Sequence, residues 1–134
     1  MNSLASKQVL IADDDSRVRR IMKAILARAD VVVCGEAGNG REAIEKAKAL
    51  RPDLILMDLA MPEMNGAEAA SVLKKELPGV PIIVFTMYDE SIGKYLMSAV
   101  GVDVVLSKPN GVTQLVSAVE TIFDRNPGSN GREI

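Results

Sequence analysis

Short apolar runs alternate along this chain with longer stretches in which apolar residues recur every three or four positions. Val9, Leu10, Ile11 and Ala12 form the first run, too short for a helix and ended abruptly by Asp13, Asp14 and Asp15. Ser16 then reads as the cap of a helix in which Val18, Ile21, Met22, Ile25 and Leu26 share one face, with Arg17, Arg20, Lys23 and Arg28 on the others. Val31, Val32, Val33 and Cys34 make a second strand, and Gly38-Asn39-Gly40 turns into a helix carrying Ala43, Ile44, Ala47 and Leu50. Leu54, Ile55, Leu56 and Met57, introduced by Pro52 and ended by Asp58, form a third strand without polar alternation, as expected of one buried on both faces. A turn, Met61-Pro62-Glu63-Met64-Asn65-Gly66, leads to a third helix ending at Leu77. Pro81 to Phe85 give a fourth strand closing at Thr86. Ile92, Tyr95, Leu96, Ala99 and Val100 predict a fourth helix with one apolar face, stopped by Gly101. Val104, Val105 and Leu106 are the fifth strand, and Leu115, Val116, Val119, Ile122 and Phe123 line a last helix after Ser107-Lys108-Pro109.

Five strands alternating with five helices predict an α/β fold, a doubly wound five-stranded parallel sheet with helices on both faces in a (βα)5 three-layer sandwich. Strand order does not follow from periodicity, although 2-1-3-4-5 is one of the two common arrangements. The expected division is a short N-terminal tail over 1–6, one domain over 7–124 and a polar C-terminal tail or linker over 125–134.

Composition narrows the chemistry. The 134 residues carry a formal charge of −2, against direct nucleic-acid binding by this chain. No stretch approaches about 18 consecutive apolar residues, and Met1 to Lys7 lacks a signal-peptide core, so no membrane association and a cytoplasmic location are expected. Cys34 is the single cysteine, which excludes an internal disulfide and CxxC motifs, and it reads as a buried strand thiol. There is no histidine, which excludes Ser-His-Asp chemistry, histidine metal sites and a phosphohistidine carrier. Carboxylates, hydroxyls and lysines remain.

Ligand crevices of open parallel sheets lie beyond the strands' carboxyl ends. Four of the five ends carry reactive groups: Asp13/Asp14/Asp15, Asp58, Thr86 and Lys108. Carboxylates gathered there repel one another unless a cation neutralises them, and an all-oxygen donor set suits Mg2+, or Mn2+, rather than zinc or copper. A carboxylate beside Mg2+, an ammonium and a hydroxyl is equipment for accepting a phosphoryl group as an acyl phosphate.

From Lys7 to Asp124 the chain resembles the receiver domains of two-component response regulators. The matching pieces are Val9-Leu10-Ile11-Ala12-Asp13-Asp14, Leu56-Met57-Asp58 with Met61 to Gly66, Val84-Phe85-Thr86 and Lys108-Pro109. The resemblance implies the flavodoxin-like order 2-1-3-4-5 and a set of roles. Asp58 would be the phosphoacceptor, taking its phosphoryl group from a phosphohistidine on a sensor histidine kinase or histidine phosphotransfer protein. Asp13, Asp14, Asp58 and the backbone carbonyl of Ala60 would hold Mg2+. Lys108 and Thr86 would contact the phosphoryl oxygens, and the altered surface would engage a downstream partner or a second copy in a homodimer. Chemistry would be limited to self-phosphorylation and self-dephosphorylation. Asp15 falls outside the pattern and reads as turn or helix cap. The first-helix arginines read either as a solvated face or as a docking surface for the phosphodonor's helix pair. Val105 departs from the aromatic residue that many receivers carry, and Met87 from their alanine. Ala60 and Tyr88, two beyond the acceptor and two beyond the threonine, are weak at orienting water, so slow self-dephosphorylation is expected.

Other readings fit less well. Haloacid-dehalogenase-type phosphohydrolases use similar groups but place the nucleophile in a DxDx(T/V) motif on the first strand, which is absent here. A nucleotide or flavin binder lacks GxGxxG and GxxxxGK(S/T), since Gly35 to Gly40 has the wrong spacing. A phosphorylation-independent pseudo-receiver is disfavoured by the intact acids and lysine.

Overall fold

A computed structural model of the chain describes residues 4–87, 90–107 and 111–125. The strands are β1 (Gln8–Ala12), β2 (Val32–Ala37), β3 (Leu54–Asp58), β4 (Ile82–Thr86) and β5 (Val104–Ser107). The helices are α1 (Ser16–Arg28), α2 (Gly40–Leu50), α3 (Gly66–Glu76), α4 (Glu90–Tyr95), continued by a π-helical turn over Leu96–Val100, and α5 (Gly111–Arg125). All strand pairs are parallel, in the order β2-β1-β3-β4-β5.

Side chains alternate across a strand, and the central strands are apolar at four consecutive positions each, so each feeds two cores. Val9 and Ile11 of β1, Leu54 and Leu56 of β3, and Ile83 and Phe85 of β4 face Met22 and Leu26 of α1 and Leu115, Val119, Ile122 and Phe123 of α5. Leu10, Ala12, Ile55, Met57, Ile82 and Val84 face the other way, against Ala43 and Ala47 of α2, Ala69, Ala70 and Leu73 of α3, and Leu96. Small alanines on α2 and α3 bring those helices close to the sheet. Full burial of each large aliphatic side chain contributes about 1.5 to 3 kcal/mol relative to exposure. Leu4, ahead of β1, is also buried in the α1/α5 core.

At the end where the strands begin, two aspartates hold first-residue amides. Asp53 Oδ2 accepts from Gln8 N–H at 2.7 Å. Asp103 Oδ2 accepts from Ile82 N–H at 2.8 Å and from Lys74 Nζ at 2.7 Å, tying β4 to α3 and to the loop before β5.

Four local expectations are corrected. Ser16, read as the cap of α1, is its first helical residue; the cap is Asp15, as its reading as turn or helix cap allowed, with its side chain accepting from Arg17 N–H at 2.8 Å. β2 runs on to Ala37, through Gly35 and Glu36, because parallel pairing with β1 continues after the apolar run stops. Cys34 is half-buried rather than buried, since β2 is an edge strand. It is also the extra residue of a bulge: Val9 pairs with Val33 and Leu10 with Gly35. Its thiol donates to the Val9 carbonyl at 3.5 Å, and burial pushes it above the usual cysteine range. Finally, the apolar face assigned to the fourth helix is mostly not covered. Leu96 is buried, but Ile92, Tyr95 and Ala99 are exposed, because α4 is short and passes into the π turn before Gly101, at φ +91°, ends it.

Candidate functional site

Sheet register sets the site. Ala12 of β1 pairs with Met57 of β3, so the next residues, Asp13 and Asp58, leave adjacent strands at the same level. Asp58 pairs with Phe85 of β4, which puts Thr86 one residue further along the neighbouring strand, opposite Ser107.

The β1–α1 loop is short because α1 starts at Ser16, and this holds three acids at one strand end. Asp13 N–H donates to Ala37 O at 2.9 Å, and Asp13 Oδ1 accepts from Asp15 N–H at 2.9 Å. Asp13, Asp14 and Asp58 each offer a carboxylate oxygen, and these oxygens lie within 4.8 Å of one another. Asp13 and Asp58 are buried and Asp14 is exposed, so the cluster opens to solvent on one side. Asp15 is turned to Arg17, whose hydrogen bonds hold its carboxyl below the usual aspartate range.

The loop after β3 is folded back on the site. Leu59 N–H donates to Phe85 O at 2.9 Å and Gly66 N–H to Leu59 O at 2.8 Å. Asn65 caps α3 reciprocally with Glu68: Glu68 N–H donates to Asn65 Oδ1 at 2.9 Å and Asn65 N–H to Glu68 Oε1 at 3.2 Å. A side chain at Gly66 would place its Cβ 2.3 Å from the carbonyl oxygen of Asp58, so only glycine lets α3 begin there. Ala60 is exposed on this loop and lines a cleft of about 290 Å3 with Leu59, Asn65, Ala67, Ile92, Tyr95 and Leu96.

Thr86 is buried at the end of β4. Lys108, Pro109 and Tyr88 lie outside the described residues. Val105 of β5 faces α4 next to Gly93, where an added Cβ would sit 3.4 Å from Val105 Cγ1. The acids of three predicted positions are thus brought together, and the threonine ends the strand beside them.

The donor set fits a hard divalent cation. It is all carboxylate oxygen, carries three negative charges in a small space and keeps a solvent-facing side where waters or phosphate oxygens can enter. Such a cation would offset the mutual repulsion of the acids and supply positive charge beside Asp58.

Two basic residues of α1, Arg19 and Lys23, reach across to the edge strand, which no sequence pattern announced. Arg19 Nε donates to Glu36 Oε1 at 2.9 Å, and its Nη1 donates to the Asp13 carbonyl. Lys23 Nζ donates to Glu36 Oε2 at 2.9 Å. No sequence signal marked them, because the apolar run stops at Cys34 and leaves Glu36 outside the strand it predicts. Arg20 and Arg28 are exposed, as is Arg17.

Comparison with known proteins gives one consistent result. The family model described as the response regulator receiver domain matches residues 9–120. The response regulator protein VraR of Staphylococcus saprophyticus is 37% identical over 118 residues, which cover 87% of this chain and 56% of that protein. The chain therefore spans little more than half the length of this relative. A two-component response regulator of the LuxR family from Aurantimonas superposes with a TM-score of 0.83 at 25% identity, covering 90% of this chain and 87% of that one. A CheY-like response regulator receiver domain from Methanospirillum hungatei gives 0.82 at 26% identity, covering 90% and 96%.

Proposed function

The chain belongs to the response regulator receiver family, and from that premise we propose that Asp58 is its phosphoacceptor and that Asp13, Asp14 and Asp58 hold Mg2+. The observation that carries this reading is the gathering of these three carboxylates at the ends of β1 and β3, with their oxygens within 4.8 Å. Asp58 is the member that ends a fully buried strand, fixed between β1 and β4.

The bound ion supplies charge neutralisation for the incoming phosphoryl oxygens. The chain's own residues do the rest. An Asp58 carboxylate oxygen attacks the phosphorus of a phosphohistidine on a sensor kinase or phosphotransfer protein, and the P–N bond breaks with its electron pair going to the imidazole. The Ala60 carbonyl would join the protein donors to the ion, and Lys108 would pair with a phosphoryl oxygen. The Thr86 hydroxyl, already at the adjacent strand end, donates to another. The new group adds about 1.5 to 2 negative charges, which biases the β4–α4 surface toward a second arrangement. Self-phosphorylation by small phosphodonors and slow self-dephosphorylation follow from the same site, the latter because the Ala60 methyl cannot orient water. The placement is cytoplasmic, since the phosphodonor chemistry is intracellular; among the described residues no helix is long and apolar enough to cross a membrane. The downstream target is a protein or output domain that reads the altered surface.

The test is incubation with acetyl phosphate or phosphoramidate, with and without Mg2+, read by intact mass and by the lability of the adduct to acid and base. Wild type should gain one phosphoryl group only with Mg2+. Asp58→Asn should gain none at that position. Labelling of Asp58→Asn as efficient as wild type overturns the assignment.

A further inference from the structure

We propose that Arg19 is a positioning residue for the cation site, acting as a clamp between Glu36 on β2 and the backbone carbonyl of Asp13. The inference rests on the reading of Asp13, Asp14 and Asp58 as Mg2+ ligands.

Three contacts of Asp13 bear on its orientation. Its amide donates to Ala37 O and its carboxylate accepts from Asp15 N–H, both at 2.9 Å. Both contacts are made by backbone close by. The third is made to its carbonyl by Arg19 Nη1, from the fourth residue of α1. The same guanidinium sends Nε to Glu36 Oε1 at 2.9 Å. A planar guanidinium offers its donors in a fixed fork, so anchoring one edge on Glu36 fixes the direction in which the other meets the Asp13 carbonyl.

Glu36 is itself anchored. Lys23 holds its second carboxylate oxygen at 2.9 Å, and Lys46 Nζ donates to its backbone carbonyl. Asp13, the clamp and the edge strand thus form one connected unit, in which Arg19 is the only side chain bonded to both the acidic loop and Glu36 among the described residues. The arrangement has an electrostatic oddity: it places a positive charge beside a cluster that would bind a cation. Coulomb's law alone makes that unfavourable for Mg2+. Holding the Asp13 backbone rigid is the compensating gain, as outer contacts commonly are for metal ligands.

The two effects have opposite signs in an experiment. If Arg19 contributes only its charge, its removal tightens Mg2+ binding; if it positions Asp13, its removal weakens it. Mg2+ is titrated calorimetrically into the full chain, which has no tryptophan to report by fluorescence, with folding checked by circular dichroism. Arg19→Met should bind Mg2+ about tenfold more weakly than wild type. Lys23→Met removes the same charge from Glu36 without touching Asp13, and should stay within about twofold of wild type or bind more tightly. Arg19→Lys keeps the charge but not the fork, and should show the same direction of loss as Arg19→Met. It carries the test if Arg19→Met fails to fold. Wild-type or tighter Mg2+ binding by the Arg19 variants overturns the clamp and leaves the metal site standing, as does an equal loss in Lys23→Met. Absence of Mg2+ binding in wild type overturns the metal reading and the clamp with it.

Discussion

Glu36 carries a second consequence apart from any metal. Hydrogen bonds from Lys23 and then Arg19 hold its carboxyl below the ordinary glutamate value of 4.5. A carboxyl depressed in the folded state contributes stability that is complete above its unfolded value and is lost as pH falls through the folded one. Denaturant unfolding from about pH 6 down to about pH 3 should therefore show wild type more stable than Glu36→Gln at the upper end, with the gap closing on acidification. Partial exposure of all three side chains limits the gap to under about 1 kcal/mol. A gap that widens toward acid would contradict the assignment. At this scale the sequence was uneven. The acids Asp13 to Asp15, Asp58 and Thr86 were legible because they lie where apolar runs end and parallel sheets place such ends together, while the choice of Asp13 and Asp14 over Asp15 came from the family resemblance. The Arg19–Glu36 pair was not, since a charge pair 17 positions apart leaves no periodic trace, and the first-helix arginines read equally as solvated or as docking groups.

Between elements, the close approach of α3 to β3 is the feature most exposed to test. Gly66→Ala would drive a methyl to within 2.3 Å of the Asp58 carbonyl oxygen, where the obstacle is backbone and cannot rotate away. Overpacking of this kind costs about 1 to 3 kcal/mol. The expected outcome is a clear fall in the urea midpoint together with impaired phosphorylation, because the displaced atom belongs to Asp58, the proposed acceptor. Unchanged stability would mean that the loop yields at no cost. The five strands and five helices were readable from alternation and spacing. Element boundaries failed where a local signal stopped before the structure did: Gly35 and Glu36 hid the second half of β2, held by its ladder to β1. Helical spacing at Ile92, Tyr95 and Leu96 promised a covered face, but spacing reports only which residues share a side, not whether anything packs on it.

For the molecule as a whole, the proposed metal role of the acidic cluster sets folding against ligand binding. Without Mg2+, replacing one of the three carboxylates relieves repulsion, so Asp14→Asn should melt at a higher temperature than wild type. With saturating Mg2+ the order should reverse, because a ligand at about 100 times its dissociation constant adds about 2.7 kcal/mol to the species that binds it. Thermal unfolding of both proteins across a Mg2+ series would show the crossing, and parallel curves would exclude the cluster as the binding site. Strand order came from family resemblance rather than from the pattern of residues, since alternation fixes neighbours along the chain and not across the sheet. The two rims of that sheet are built on different principles. Where the strands begin, Asp53 and Asp103 accept directly from the first amides of β1 and β4, and Lys74 locks one of those acids in place. At the opposite rim the acids converge on one another. One margin is anchored and the other carries the candidate site: the first amide hydrogens of β1 and β4 should exchange slowly whatever ion is present, because their acceptors lie at the far end of the strands from the acids.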